Sequence, residues 1–507
     1  MATAIAAVFN QIPILTIIYM MPLLAVLSMF FIPGTNQKAV KVVSLVFSVI
    51  SFILALMLFF AYDFNKGGMQ FVEHFEWAAS LGINYFMGVN GINVVLVLLT
   101  GIIITAGILA SWDVNVRPKE FFILLLTLTT GVFGVFMTYN LFLFFLFYEI
   151  AVLPMYLLIG IWGTGPKEYS AMKLTLYLMV GSALILAGIL GIYFASGLHT
   201  FDFDLLEKVT FDRQFQIIFF PILFVGFGIL AALWPFHTWS PDGHASAPTA
   251  VSMLHAGVLM KLGAYGCLVV AVWLLPEGAK FWFPTIAILT LVNIVYGSLG
   301  AVAQRDLKFI VAYSSVSHMG IVLLGIAAGN SIAFSGAVLQ MFSHGVMTGL
   351  FFGLVGMTYG RTHTRIITEM RGLAKNMPIL AVFFVITGLC SLGLPGLAGF
   401  VAEITVFLGA FKAFPIIAVI AITGIVFTAF YVLRVVQIVF FGPKDPHFDG
   451  LKDANKIEIT ALALLMFFII AVGVYPFYMM KVIHSSVLPI ADKLAAIAPV
   501  VQKLGGM

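Results

Sequence analysis

The sequence predicts an all-α integral membrane protein of about fourteen transmembrane helices. Of its 507 residues, 62% are apolar and only 9% charged, whereas a soluble domain carries about a quarter charged residues. Apolar runs of about twenty residues, the length that spans a hydrocarbon core, recur from end to end. Two of the runs are broken in the middle by proline and glycine. Irregular backbone at membrane depth is tolerated only where protein or water satisfies the freed peptide groups.

Taken in order, the runs lie near 12–32, 40–61, 85–110, 120–139, 140–162, 170–195, 215–234, 247–275, 281–302, 309–328, 331–359, 377–412, 414–441 and 457–480. The first reads as a span and not as a cleaved signal, because so many others follow it. The longest polar connections, 62–84, 196–214 and 442–456, are too short to build a soluble domain. The tail beyond residue 481 reads as a short interfacial helix. Alternate loops share out the basic residues unevenly. One side holds Lys38, Lys41, Arg117, Lys119, Lys167, Arg305, Lys308, Arg361, Arg365, Arg371, Lys375, Lys444, Lys452 and Lys456. The other holds Lys66, Lys208, Arg213, Lys280, Lys412 and three lysines of the tail. The richer side is expected in the cytoplasm, with both termini opposite.

The seventh run is the centre of the chain. Residues 228–263 read GILAALWPFHTWSPDGHASAPTAVSMLHAGVLMKLG, so Pro235, Pro241, Asp242, Gly243 and Pro248 interrupt a span. His237, His244 and His255 lie in or beside the break, and Lys261 sits in the run that follows. The stretch 234–250 could form a separate half-helix. Five runs later LGLPGLAGFVAE, Leu392 to Glu403, interrupts the twelfth run in the same manner. Paired broken spans point to two structural repeats of the inverted kind found in transporters.

Few ionisable groups remain inside runs: Glu149, Lys173, Lys261, Glu403, Arg434, His255, His318 and His344. A charge at the centre of a span costs about 2.5–3.5 kcal/mol on insertion scales. Such groups are therefore paired, hydrated or titrated, and ion routes are their usual use. Glu149, Lys261 and Glu403 are the main candidates for a proton relay. A carboxyl hydrogen-bonded to a neighbouring helix, or a static ion pair, is the plainer alternative for each. His318 and His344 can link such groups, since imidazole both donates and accepts, although a single histidine in a span more often serves packing. Lys173 and Arg434 lie nearer to span ends, where long side chains reach the interface.

Other chemistry finds no support. Cys267 and Cys390 stand far apart inside apolar runs and suggest neither a disulfide framework nor a metal or iron–sulfur site. Gly226, Gly228 and Ala231 spell GxGxxA, but within a span and not in a strand–turn–helix unit. No P-loop, CxxC or haem motif occurs, so no cofactor is expected on this chain. Energy for transport has to come from a partner or an ion gradient.

The stretches FHTWSPDGHASAPTAVSMLHAGVLMKLGAYG, RDLKFIVAYSSVSHMG and LPGLAGFVAE together resemble the antiporter-like subunits of respiratory complex I. Within that family the chain is most similar to the M type (NuoM type), and the likeness runs along nearly its whole length. The resemblance implies a fourteen-helix fold with two inverted five-helix repeats and broken helices 7 and 12. The parts would be residues 1–115, three N-terminal spans; 116–275 and 276–442, the repeats; and 443–507, the last span and tail. It assigns relay roles to Glu149, Lys261 and Glu403 and bridging roles to His237, His318 and His344. Protons would enter from the cytoplasm towards the first repeat and leave near Glu403. NADH, FMN, iron–sulfur clusters and quinone would belong to partner subunits. Implied partners are the other membrane-arm subunits, including neighbouring antiporter-like subunits and the lateral helix of the L type, and membrane lipids, with no nucleic acid. The setting would be a bacterial inner membrane.

One departure stands out. The family usually carries a lysine seven residues before the histidine matching His237, and a proline two residues after that lysine; here these are Leu230 and Ala232. Glu149 then lacks its usual cationic partner. His255 is a possible substitute, though an ideal helix would turn it about 120° away from Lys261. Two further readings share the fold: a subunit of a Mrp-type cation/proton antiporter, and a structural membrane-arm subunit that has lost pumping.

Overall fold

The computed structural model describes residues 2–497 except 444. Lys444, and Lys503 with the other residues after 497, which belong to the expected tail, lie outside the described residues. In chain order the helices are α1 (Ala2–Phe9), α2 (Ile14–Met29), α3 (Gln37–Ala61), α4 (Asn93–Ala110), α5 (Pro118–Met137), α6 (Leu141–Trp162), α7 (Lys167–Ser196), α8 (Phe203–Leu206), α9 (Arg213–Leu230) and α10 (Trp239–Ser246). Then follow α11 (Thr249–Val272), α12 (Pro276–Ala303), α13 (Leu307–Ala327), α14 (Ser331–Thr362), α15 (Pro378–Ser391), α16 (Ala398–Ala413), α17 (Pro415–Phe440), α18 (Lys456–Val474) and α19 (Phe477–Ala496).

Among the described residues, twelve helices are long and apolar enough to cross a membrane. Adding the shorter α2 and the interrupted pair α15–α16 gives fourteen crossing units. Both expected breaks are present, at 231–238 and 392–397, and α10 is the separate half-helix anticipated there.

Two expectations need correction, and a third gains a detail. The chain is the expected helical membrane fold, to which β1 (Gln70–Ala78) and β2 (Ile83–Val89) add one antiparallel hairpin. Residues 85–89, assigned above to the third span, belong to β2, because aromatic and β-branched residues there suit a half-buried strand as well as a helix. The fourteenth span ends at Val474, where Pro476 separates it from α19. The tail helix is therefore twenty residues long and begins before residue 481.

The core forms where helices approach closely. α11 and α14 are buried along their whole apolar stretch, whereas only a third of α3, α7 or α17 is. Water-driven burial does not hold helices together in lipid, so small residues do the work by letting backbones touch. A Cβ on Gly345 of α14 would lie 2.6 Å from the Gly257 carbonyl of α11. One on Gly263 of α11 would lie 2.4 Å from the Phe227 carbonyl of α9.

Candidate functional site

The site is assembled around the first break. α9 ends in a Schellman pattern: Leu233 N–H donates to Gly228 O at 2.8 Å and Ala232 N–H to Ile229 O at 3.1 Å, with Ala232 at φ +57°. The second break ends in the same way, through Leu394 N–H to Leu389 O at 3.0 Å and Gly393 N–H to Cys390 O at 3.1 Å, with Gly393 at φ +75°. Proline cannot adopt positive φ, so Ala232 gives the first break an ending that a proline there would forbid. Asn293 of α12 satisfies the exposed peptides. Its Nδ2 donates to Ala232 O at 3.0 Å and to Val316 O at 2.9 Å, and its Oδ1 accepts from Trp234 N–H.

Beyond the break α11 carries a π segment, His255–Leu259, that ends two residues before Lys261. Such bulges re-aim the side chains that follow. Lys261 is fully buried; its Nζ donates to the Ala256 carbonyl and meets His344 Nδ1 of α14 at 2.8 Å. The His344 ring stacks on His318 of α13, centroids 5.2 Å apart. His318 Nε2 lies 3.3 Å from Glu403 Oε1 on α16, just past the second break. Gln340 Nε2 reaches the same oxygen at 3.4 Å. Lys261, His344, His318 and Glu403 therefore form one buried polar line between the two interrupted units.

The line continues in the other direction. His255 packs on His244 of α10, centroids 4.3 Å apart, and stacks on Trp239 at 5.1 Å. Both histidines are fully buried and leave all four ring nitrogens without a hydrogen-bond partner. His244 is within electrostatic reach of His255, Lys261 and Lys308. His244 was not among the candidate relay residues, although it sits in the same PDGH stretch as those that were. Lys308, counted above as a loop charge, is 5% exposed at the start of α13. Hydropathy cannot separate a buried residue at a span's end from one in the adjoining loop.

Four residues singled out from the sequence stand apart from this line. Glu149 lies on α6 between the outward-facing Leu146 and Leu153, with Ser182 of α7 as its polar neighbour; Oε1 is buried without a partner. Among the described residues no ion pair includes it, and His255, engaged with Trp239 and His244, does not substitute for the missing lysine. His237, expected to bridge, instead packs its ring on Tyr296 at 5.0 Å. Lys173 pairs with Asp242 of α10 at 2.7 Å, tying α7 to the half-helix. Arg434 donates from Nη2 to Gln304 O at 2.9 Å, a structural contact.

Residues 138–428 match the family described as NADH:quinone oxidoreductase/Mrp antiporter, TM. A NAD(P)H-quinone oxidoreductase chain 4 from Synechococcus elongatus is 39% identical over 502 residues, covering 97% of this chain and 94% of the relative. A chain of respiratory complex I from Thermus thermophilus superposes with a TM-score of 0.86 at 28% identity, over 94% of this chain and 99% of that one. A chain of the Mrp complex from Dietzia sp. shares the fold at 20% identity, with a TM-score of 0.77 over 100% of this chain and 99% of that one. With more than half its length matched by the family and a near full-length relative above a third identical, the chain belongs to the antiporter-like membrane subunits of the NADH:quinone oxidoreductase/Mrp antiporter family.

Proposed function

We propose that the chain is the M-type proton-translocating subunit of the membrane arm of an NADH:quinone oxidoreductase, moving protons along the buried line from Lys261 to Glu403. The observation that carries this reading is the continuity of that line. Lys261 gives a proton to His344 Nδ1; the imidazole hands on its other proton towards His318, and His318 passes one to the Glu403 carboxylate. Lys261 meets His344 directly at 2.8 Å and His318 meets Glu403 at 3.3 Å, while the two imidazoles are joined by ring stacking; no step needs bond chemistry beyond proton exchange. Redox chemistry driving the cycle belongs to partner subunits that hold NADH, FMN, iron–sulfur clusters and quinone. Neighbouring antiporter-like subunits and the L-type lateral helix are the partners this reading requires, in a bacterial inner membrane with both termini outside the cytoplasm. Residues 116–275 and 276–442 are the two repeats; each holds five spans with the fourth interrupted, which supports the division.

Lys261→Met and Glu403→Gln test the reading in inverted membrane vesicles, as protons moved per electron delivered. Severalfold loss with the complex assembled is the expected result, and normal pumping in both variants overturns it. The Mrp-type alternative is weighed by co-purification: small antiporter subunits in place of redox partners would favour it. Leu230 and the lack, among the described residues, of an ion pair at Glu149 favour a membrane-arm spacer that no longer pumps through its first half. Glu149→Gln with unchanged pumping supports that second reading for Glu149, whereas a severalfold loss returns Glu149 to the relay.

A further inference from the structure

Among the described residues, Lys308 is a buried lysine in no ion pair, within electrostatic reach of the buried His244, whose two ring nitrogens lack a hydrogen-bond partner. Lys308 Nζ donates to Ala247 O at 2.5 Å, and Ala247 closes the half-helix that carries His244. Nearer the surface, Arg365 Nε pairs with Asp306 Oδ2 at 3.1 Å, where both side chains are partly exposed. Arg365 Nη1 also donates to Ala245 O at 2.8 Å. Titratable groups thus step inward from a partly exposed ion pair through Lys308 to His244, then to His255 and Lys261.

We propose that Lys308 is the residue through which protons enter the line. The inference rests on the proton-translocating reading above. In the step, the Lys308 ammonium releases one proton, carried across the gap by an exchanging water, to a neutral ring nitrogen of His244, giving an amine and an imidazolium. The amine takes its replacement from water at the Asp306–Arg365 mouth, and the imidazolium passes its proton inward to His255 or Lys261. Charge and protons balance, and no electron moves.

The competing role is a static one. A cation near a helix C-terminus stabilises its last carbonyls, and Lys308 and Arg365 both do this for α10. Substitutions separate the two roles. Lys308→Arg keeps the charge and the donor but does not release its proton, and Lys308→Gln keeps an N–H donor with no exchangeable charge. Lys308→His loses the long reach but titrates near neutrality. In vesicles holding the assembled complex, whichever of the Arg and Gln variants assembles is expected to lose coupled proton translocation severalfold, with His recovering a large part. Wild-type pumping in Lys308→Arg or Lys308→Gln overturns the inference and leaves the capping role. Lys261→Met in the same preparation tells the two failures apart: if it too pumps normally, the translocation reading itself has failed.

Discussion

Each ring in the buried line has a protonation state that its neighbours dictate. His318 Nδ1 faces Ser314 O at 2.7 Å, and Nε2 faces Ser391 O at 3.2 Å and Glu403 Oε1 at 3.3 Å. All three are acceptors, so the imidazolium, which donates from both nitrogens, fits this position. His344 instead accepts from Lys261 at Nδ1, leaving Nε2 as its N–H, a donor with no partner. Stability and function should part at Lys261. Removing a buried charge that has no counter-ion relieves desolvation, so Lys261→Met is expected to unfold no earlier than the parent on heating in detergent while pumping is lost. His344→Ala acts the other way: it strands the Lys261 ammonium on one carbonyl, and a loss of about 1–3 kcal/mol is expected in the same thermal measurement, as for an orphaned buried donor. Lys261, Glu403, His318 and His344 were legible in the sequence because ionisable residues are rare inside apolar runs. His244 and Lys308 were not, since both lie at the margins of runs where burial leaves no compositional mark.

At the scale of elements, the two breaks are held by neighbouring helices. Asn293 on α12 serves three peptide groups at once, so α9 can end at mid-depth without dangling polar atoms. Asn293→Leu matches the size but leaves Trp234 N–H and Ala232 O unserved, while Val316 O keeps its partner within α13. A penalty of about 1–3 kcal/mol for each group not rescued by water is expected, read as a lower unfolding temperature or lost assembly. Proline and glycine told the sequence reader where the helices stop. They did not tell which helix repairs the break, because Asn293 sits in an unbroken span of ordinary composition.

At the scale of the molecule, the hairpin fastens the first span to the body. Glu73 of β1 accepts from Leu15 N–H at 2.7 Å and from Thr16 N–H at 3.2 Å, at the start of α2. A carboxylate from another element thus does what a capping residue does at a helix N-terminus. Burial pushes the Glu73 carboxyl above its ordinary range, against hydrogen bonds from Thr16 and Leu15 that pull it down. The folded state therefore holds this proton more tightly than the unfolded chain. The stabilising contribution is full below the ordinary carboxylate value of about 4 and fades as pH rises through the folded value. Glu73→Gln is expected to remove this slope, measured as unfolding temperature in detergent between about pH 4 and pH 8, while still accepting from Leu15.

The sequence alone determined that the chain lives in a membrane, how many times it crosses, where two crossings are interrupted, and which charged residues demand explanation. Hydrocarbon imposes these features in one dimension: it sets run length, excludes charge and permits irregular backbone only in sheltered places. Tertiary structure alone decided which of those residues meet. Close helix contacts at Gly345 and Gly263 set α11 against α14 and α9. In that packing Lys261, His344, His318 and Glu403 became neighbours, His244 and Lys308 joined at one end, and Glu149 and His237 stood aside. Contact between helices depends on rotation and distance around each axis, and depth along the sequence carries neither.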